Sequence, residues 1–289
     1  MPANILPLLR LCNLNCSPSQ ALITETITAF RRYGAIRLEI PEDIRYHPGG
    51  VFQNASEFFD KPADIKKQIR GYSPFASESV RGKATFPKES VYFFREGADH
   101  EDLKYLTPEF YRSVKALHDI WTPLRLHLLN VISRLLGSEA LLTGTAFLES
   151  ATLMVHYYDS RTVHDGTLFS PPHKDSGTLT ILFRSFSGND GLEIADLQTT
   201  EKQDSEGVGS EASFISAPPA HGEVPYVILM AGNRFQKLLG SDRARACVHR
   251  VRGPGSGFYN DCGVQRYSIA VFCAPSVPSK RRSSPGTVL

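Results

Sequence analysis

Pro171-Pro172-His173-Lys174-Asp175-Ser176-Gly177 runs directly into the apolar stretch Thr178-Leu179-Thr180-Ile181-Leu182-Phe183. Extended backbone turns residues i and i+2 to the same face, so a strand through this segment sets the His173 imidazole beside the Asp175 carboxylate. Such a pair can hold a metal once a third donor joins it. His249 is the candidate, in Ala244-Arg245-Ala246-Cys247-Val248-His249-Arg250-Val251, whose alternation also reads as a strand. Two imidazoles and one carboxylate on one side of an ion leave further coordination positions open. A lone His-x-Asp is more often a hydrogen bond at a strand end than a metal site, so the tripeptide takes its meaning from the rest of the chain.

Beyond Thr152 the apolar period becomes strand-like. Strands are expected over 152–158, 178–183, 191–197, 212–217, 226–231, 244–251 and 266–274, separated by Gly- and Pro-rich connections. This pattern predicts a double-stranded β-helix, the jelly roll, as a core over residues 151–275. The polar stretch 199–210 reads as a mobile surface insertion, and the Pro-, Ser- and Arg-rich residues 276–289 as a flexible tail.

Residues 1–150 read as a mainly helical region of the same single domain, giving an α+β chain with a mainly β core. Ser17-Pro18 is the expected cap and first position of a helix carrying Leu22, Ile23, Ile27, Phe30 and Tyr33, stopped by Gly34. A strand is expected over 35–40, and Pro48-Gly49-Gly50 is expected to break the helix that resumes toward Phe58-Phe59. Residues 71–101 show no sustained period and read as surface loop, with Tyr92-Phe93-Phe94 and Arg95 either packed or lining a pocket. Thr107-Pro108-Glu109 opens a long helix whose stripe of Phe110, Val114, Leu117, Trp121, Leu124, Leu128, Val131 and Leu135 can brace a sheet. Pro123 is expected to kink it and Gly137 to end it.

Composition narrows the class. At 289 residues, with 41% hydrophobic and 21% charged residues, the chain can bury a substantial core. A formal charge of +2 gives no reason to expect a nucleic-acid partner, and no apolar run is long enough to span a bilayer. The N-terminus lacks the features of a secretory signal, so a cytoplasmic protein is expected, with a monomer favoured. Its five cysteines read as reduced thiols; Cys12 and Cys16 have no second pair to complete a zinc site.

The ordered set His173-x-Asp175, His249 and Arg266-x-Ser268, the last within Arg266-Tyr267-Ser268-Ile269-Ala270-Val271-Phe272, resembles the Fe(II)- and 2-oxoglutarate-dependent dioxygenases of the isopenicillin N synthase-like branch. Phe58-Phe59-Asp60-Lys61-Pro62 with Lys66, Gly191-Leu192-Glu193-Ile194 and Val248-His249-Arg250-Val251 resemble further signatures of that branch. The resemblance implies that His173, Asp175 and His249 hold Fe(II), and that Arg266 and Ser268 bind the distal carboxylate of 2-oxoglutarate. A guanidinium suits that task because it can offer two parallel hydrogen bonds. Tyr158 matches the tyrosine of the family's Asn-x-Tyr, whereas His156 stands where the asparagine is expected, and either donates to the keto acid or packs.

The implied activity couples O2-dependent decarboxylation of 2-oxoglutarate to oxidation of a C–H bond in a small organic metabolite, in secondary metabolism. Hydroxylation is the default outcome; desaturation and ring rearrangement share its chemistry. Candidate substrate walls are Tyr92, Phe94, Met154, Phe183 and Phe272, with Arg95 or Arg184 as anchors for an acidic substrate. Two other readings stay open: an iron oxidase of the same branch that does not use 2-oxoglutarate, and a jelly-roll binding protein without catalysis.

Overall fold

The structure, a computed structural model, describes residues 6–10, 19–39, 47–80, 83–93, 107–137, 150–159, 168–185, 191–198, 213–217, 226–253 and 265–274. Strand β1 (Leu8–Leu9) precedes helix α1 (Gln20–Arg32), which starts on Ser19. The Ser19 hydroxyl accepts from the Leu22 amide at 3.2 Å and satisfies one of the unpaired donors of the first turn. The expected cap at Ser17-Pro18 lies outside the described residues. Gly34, at φ +65°, ends the turn after α1; a side chain there would meet the Cys247 backbone at 2.5 Å.

After β2 (Ala35–Glu39) comes α2 (His47–Phe59), which runs through Pro48-Gly49-Gly50 instead of breaking there. Proline in a first turn gives up no hydrogen bond, so Pro48 opens this helix. Helix α3 (Ala63–Lys66) leads to β3 (Tyr72–Ser73), β4 (Ser79–Val80), β5 (Lys83–Thr85) and β6 (Glu89–Phe93). Of the segment 71–101 expected to be surface loop, just over half of the described residues are therefore strand. Buried Lys66 ties α3 to β6: its ammonium donates to the Phe59 carbonyl at 2.7 Å and to Glu89 at 2.6 Å.

Helix α4 (Pro108–Leu135) is continuous past Pro123 and, at about 1.5 Å per residue, reaches about 42 Å. Phe110, Val114, Leu117, Trp121, Leu128, Val131 and Leu135 of its stripe are buried: Phe110 stacks on Phe58 at 5.6 Å, and Trp121 meets Phe183 edge-on at 4.7 Å. No described helix is long and apolar enough to cross a membrane.

The remaining strands are β7 (Ser150–Asp159), β8 (Leu168–His173), β9 (Leu179–Arg184), β10 (Leu192–Ala195), β11 (Phe214–Ser216), β12 (Tyr226–Ala231), β13 (His249–Arg252) and β14 (Gln265–Ala274), with helix α5 (Asn233–Leu239) after β12. They form two facing sheets. The larger runs β1-β2-β12-β9-β14-β7-β6-β3 and the smaller β11-β10-β13-β8. The chain passes from one sheet to the other between β7 and β8, β8 and β9, β9 and β10, β11 and β12, β12 and β13, and β13 and β14, which is the double-stranded β-helix.

On the four central strands of the large sheet, residue parity decides direction. Val155, Ile181, Phe183, Val227, Leu229, Ile269 and Val271 pack with the helices, while Tyr158, Leu182, Ile228, Met230 and Ala270 face the smaller sheet. Odd numbers thus build the scaffold core and even numbers line the barrel, as the pleat requires.

Candidate metal and co-substrate site

Strand β8 ends on His173, and Asp175 sits in the turn between β8 and β9. The two are therefore not neighbours on one strand face, as the sequence had suggested; the turn itself brings the carboxylate round. That turn is fixed by α5, whose first amide, on Asn233, donates to the Asp175 carbonyl at 2.8 Å. Gly232 is required there, because a Cβ would come within 2.2 Å of the Gly177 carbonyl. His249 is the first residue of β13, opposite His173 in the antiparallel ladder. The expected strand over 244–251 begins only at His249, since the Ala246 amide is taken by the Gln236 side chain and the Cys247 amide by the Ala231 carbonyl, both at 2.8 Å.

The two imidazoles lie 4.2 Å apart between ring centres, and His173 Nε2 is 3.9 Å from Asp175 Oδ1. The potential ligand atoms of His173, Asp175 and His249 all fall within 4.8 Å of one another. A backbone carbonyl only accepts, so His173 Nδ1–H donates to Pro171 at 2.9 Å, and His249 Nδ1–H to Cys247 at 3.4 Å. Each ring is left with its Nε2 lone pair for an ion. Burial, then the neighbouring His249, pushes His173 down to about 4, which keeps it neutral. Thr180 Oγ1 donates to Asp175 Oδ2 at 2.5 Å and leaves Oδ1 on the histidine side. Two imidazoles and a carboxylate, with no thiolate among them, fit Fe(II) with open positions.

These residues border a cavity of about 340 Å³ between the sheets. Arg266, only 6% exposed, and Ser268 enter it from β14, and the Arg266 guanidinium stacks over the Tyr158 ring at 4.3 Å. Register sets Arg266 opposite Tyr158 and Ser268 opposite His156. His156 Nδ1 is 2.9 Å from Ser90 Oγ and 3.3 Å from Lys88 Nζ. An ammonium only donates, so Nδ1 accepts and the proton sits on Nε2. Burial first, then the charges of Lys88 and Arg266, pushes the His156 pKa well down.

Of the expected substrate residues, Tyr92, Met154 and Phe272 line the cavity. Phe183 does not: being odd-numbered, it points into the helix layer against Trp121. Arg184 faces inward but lies beyond the cavity, with Nη2 donating to the Tyr226 hydroxyl at 2.8 Å and Nη1 to the Ala217 carbonyl. Phe94 and Arg95 lie outside the described residues. Cavity residues that the sequence reading passed over include Glu78, Phe86 and Lys88. The signal was present: Phe86-x-Lys88-x-Ser90-x-Tyr92 alternates with period two across a segment taken for loop.

Residues 149–275 match the profile of the 2OG-Fe(II) oxygenase superfamily. They belong to that superfamily. Its cofactor chemistry is that of a non-haem Fe(II) dioxygenase using 2-oxoglutarate, and the isopenicillin N synthase-like branch agrees with it. No curated protein sequence matches the chain. Among solved structures, a full-length Neurospora crassa protein in complex with alpha-KG and thymine superposes with a TM-score of 0.68 at 22% identity, covering 96% of this chain and 88% of that one. A 2OG-Fe(II) oxygenase family protein from Caulobacter crescentus gives 0.70 at 21% identity, covering 94% and 87%. The dioxygenase for auxin oxidation in rice gives 0.63 at 20%, covering 93% and 83%. At these identities the superpositions establish the fold.

Proposed function

We propose that this oxygenase oxidises a C–H bond of a small organic molecule, with His173, Asp175 and His249 holding Fe(II) and Arg266 and Ser268 holding 2-oxoglutarate. The observation that carries the reading is the convergence of three metal donors and a buried guanidinium on one cavity. We read the helical region and the barrel as one unit, since β2 and β6 extend the barrel's own large sheet. The small-molecule ligands of related folds, thymine and auxin, are in keeping with a cavity at the small end of ligand sites.

Fe(II) with 2-oxoglutarate and O2 would supply the oxidising power; the chain's residues prepare the place for it. The carbonyls of Pro171 and Cys247 orient the two imidazoles, and Thr180 orients the carboxylate. Arg266, stacked on Tyr158, presents its charge to the co-substrate's far carboxylate, and the Ser268 hydroxyl adds a donor on the same strand face. His156, with its proton held on Nε2, offers the kind of donor that an asparagine amide would offer. Met154, Leu182 and Phe272 exclude water and leave an apolar wall against which one C–H bond can be positioned. Hydroxylation is the outcome we assign, in secondary metabolism.

The test is anaerobic reconstitution with Fe(II) and 2-oxoglutarate, followed by a metabolite-extract screen for substrate-stimulated succinate release. Binding of 2-oxoglutarate is measured in parallel by calorimetry. Failure to bind either iron or 2-oxoglutarate would overturn the proposal.

A further inference from the structure

The cavity holds an ion pair whose lysine also donates to His156 and whose carboxylate the iron and co-substrate chemistry leaves unused. Lys88 reaches in from the segment before β6, and its ammonium lies 2.8 Å from Glu78 Oε2, with side-chain exposures of 10% and 19%. The backbone locks the two together: the Phe86 amide donates to the Glu78 carbonyl at 2.9 Å, and the Lys88 amide to the Phe86 carbonyl at 2.8 Å. Glu78 Oε1 is buried and finds no hydrogen-bond partner among the described residues. An unsatisfied buried carboxylate oxygen is costly, and a donor brought by a ligand removes that cost.

Charge decides what kind of ligand this is. Lys88 is already neutralised by Glu78, so a carboxylate entering here would gain one cation and meet one anion at the same distance. The pair therefore favours an uncharged molecule that offers an N–H or O–H to Glu78 and a carbonyl to Lys88. A cis-amide presents these two groups side by side, as the paired side chains present their acceptor and donor. Phe86, Tyr92 and Phe272 flank the cavity and suit a flat ring, and the co-substrate takes part of the 340 Å³.

Resting on the proposed function, and deepening it, we propose that Glu78 and Lys88 read the prime substrate, and that it is a small, uncharged ring compound with N–H next to C=O: a lactam, imide or cyclic ureide. Of the two anchors expected for an acidic substrate, Arg184 lies beyond the cavity and Arg95 outside the described residues.

The experiment is calorimetric titration of the Fe(II)-loaded, 2-oxoglutarate-bound protein under anaerobic conditions with 2-pyridone, N-methyl-2-pyridone and benzoate. The first probe carries the N–H and C=O edge, the second lacks the donor, and the third is anionic. We expect 2-pyridone to bind about tenfold or more tightly than either of the others, the size of one lost hydrogen bond to a charged group. In Glu78→Gln the Lys88 charge loses its counter-ion, and the preference shifts about tenfold toward benzoate. Benzoate binding the unaltered protein as tightly as 2-pyridone, indifference to N-methylation, or no binding of 2-pyridone at millimolar concentration would each overturn the inference. The comparison of probes on the unaltered protein stands by itself should Glu78→Gln fail to fold. If 2-oxoglutarate itself does not bind, the proposed function falls with it; if it binds and the probes do not discriminate, only the substrate class falls.

Discussion

Thr180 Oγ1 donates to Asp175 Oδ2 at 2.5 Å, so a residue on β9 sets which carboxylate oxygen faces the histidines. Removing that hydroxyl frees the carboxylate to rotate. Thr180→Val, nearly equal in volume, should lower metal affinity by about 10- to 100-fold with little change in the fold. Metal titration of the purified protein measures it, and an unchanged affinity would show that the turn alone orients Asp175.

Asp175→Ala goes further, since it deletes a donor. Iron stoichiometry should fall close to zero and iron-dependent succinate formation should be lost, while the far-ultraviolet circular dichroism keeps its native shape. Full activity in this variant would sink the metal assignment.

Arg266→Leu removes the guanidinium that is stacked on Tyr158. The apparent KM for 2-oxoglutarate should rise by about 100-fold, the scale of losing two hydrogen bonds to a charged group. Unchanged KM would mean that a different cation holds the distal carboxylate.

His156 gives a pH prediction with a definite sign. Its folded-state pKa is well below the ordinary 6.5, chiefly through burial, so it stays neutral in the native protein while the unfolded chain takes up a proton. The unfolded state then binds more protons as pH drops, and stability falls below about pH 6.5, by up to about 1.4 kcal/mol per pH unit. Above that pH the residue adds no slope. Urea midpoints of the metal-free protein between about pH 5 and 7 should show the fall, and His156→Asn should make it shallower, leaving the share that His173, also depressed, contributes. Equal slopes in the two proteins would place the proton uptake elsewhere.

Cys247 and Cys273 are buried, and burial pushes their thiols up, Cys273 to about 11. Thiolate is the reactive form, so neither should be alkylated at about pH 8 in the native protein. Peptide mapping before and after denaturation measures this; rapid native labelling of Cys247 would mean that the β12–β13 connection opens to solvent.

Much of this site could be read from the sequence because strand alternation and polar residue type coincide in it. His249, Arg266 and Ser268 each sit in or beside an alternating run, and the register that sets Arg266 opposite Tyr158 follows the pleat. Other features depended on contacts distant in sequence. Asp175 owes its position to a turn bonded to α5, and the backbone before His249 is pulled out of the ladder by Ala231 and Gln236. Phe183 and Arg184 were misjudged for a simpler reason: residue type was weighed without parity or depth. Lys88 was missed because a segment rich in Gly, Pro and Ser hides a period-two stretch, and a buried lysine carries no local mark of the glutamate that pairs with it.

The parity of the large sheet has a consequence for how this protein can change. Neighbouring residues on one strand answer to different demands, odd positions to packing against α2 and α4, even positions to whatever occupies the barrel. Substitutions at Met154 or Phe272 can therefore retune the ligand while the layer that holds the fold together is left alone. A one-residue deletion inside β14 has the opposite character: it would turn Tyr267 and Ile269 into the barrel and drive a guanidinium into the helix layer, losing chemistry and stability in one step. New specificities in this scaffold should arise by point replacement within the strands and by length changes only in the connections between them.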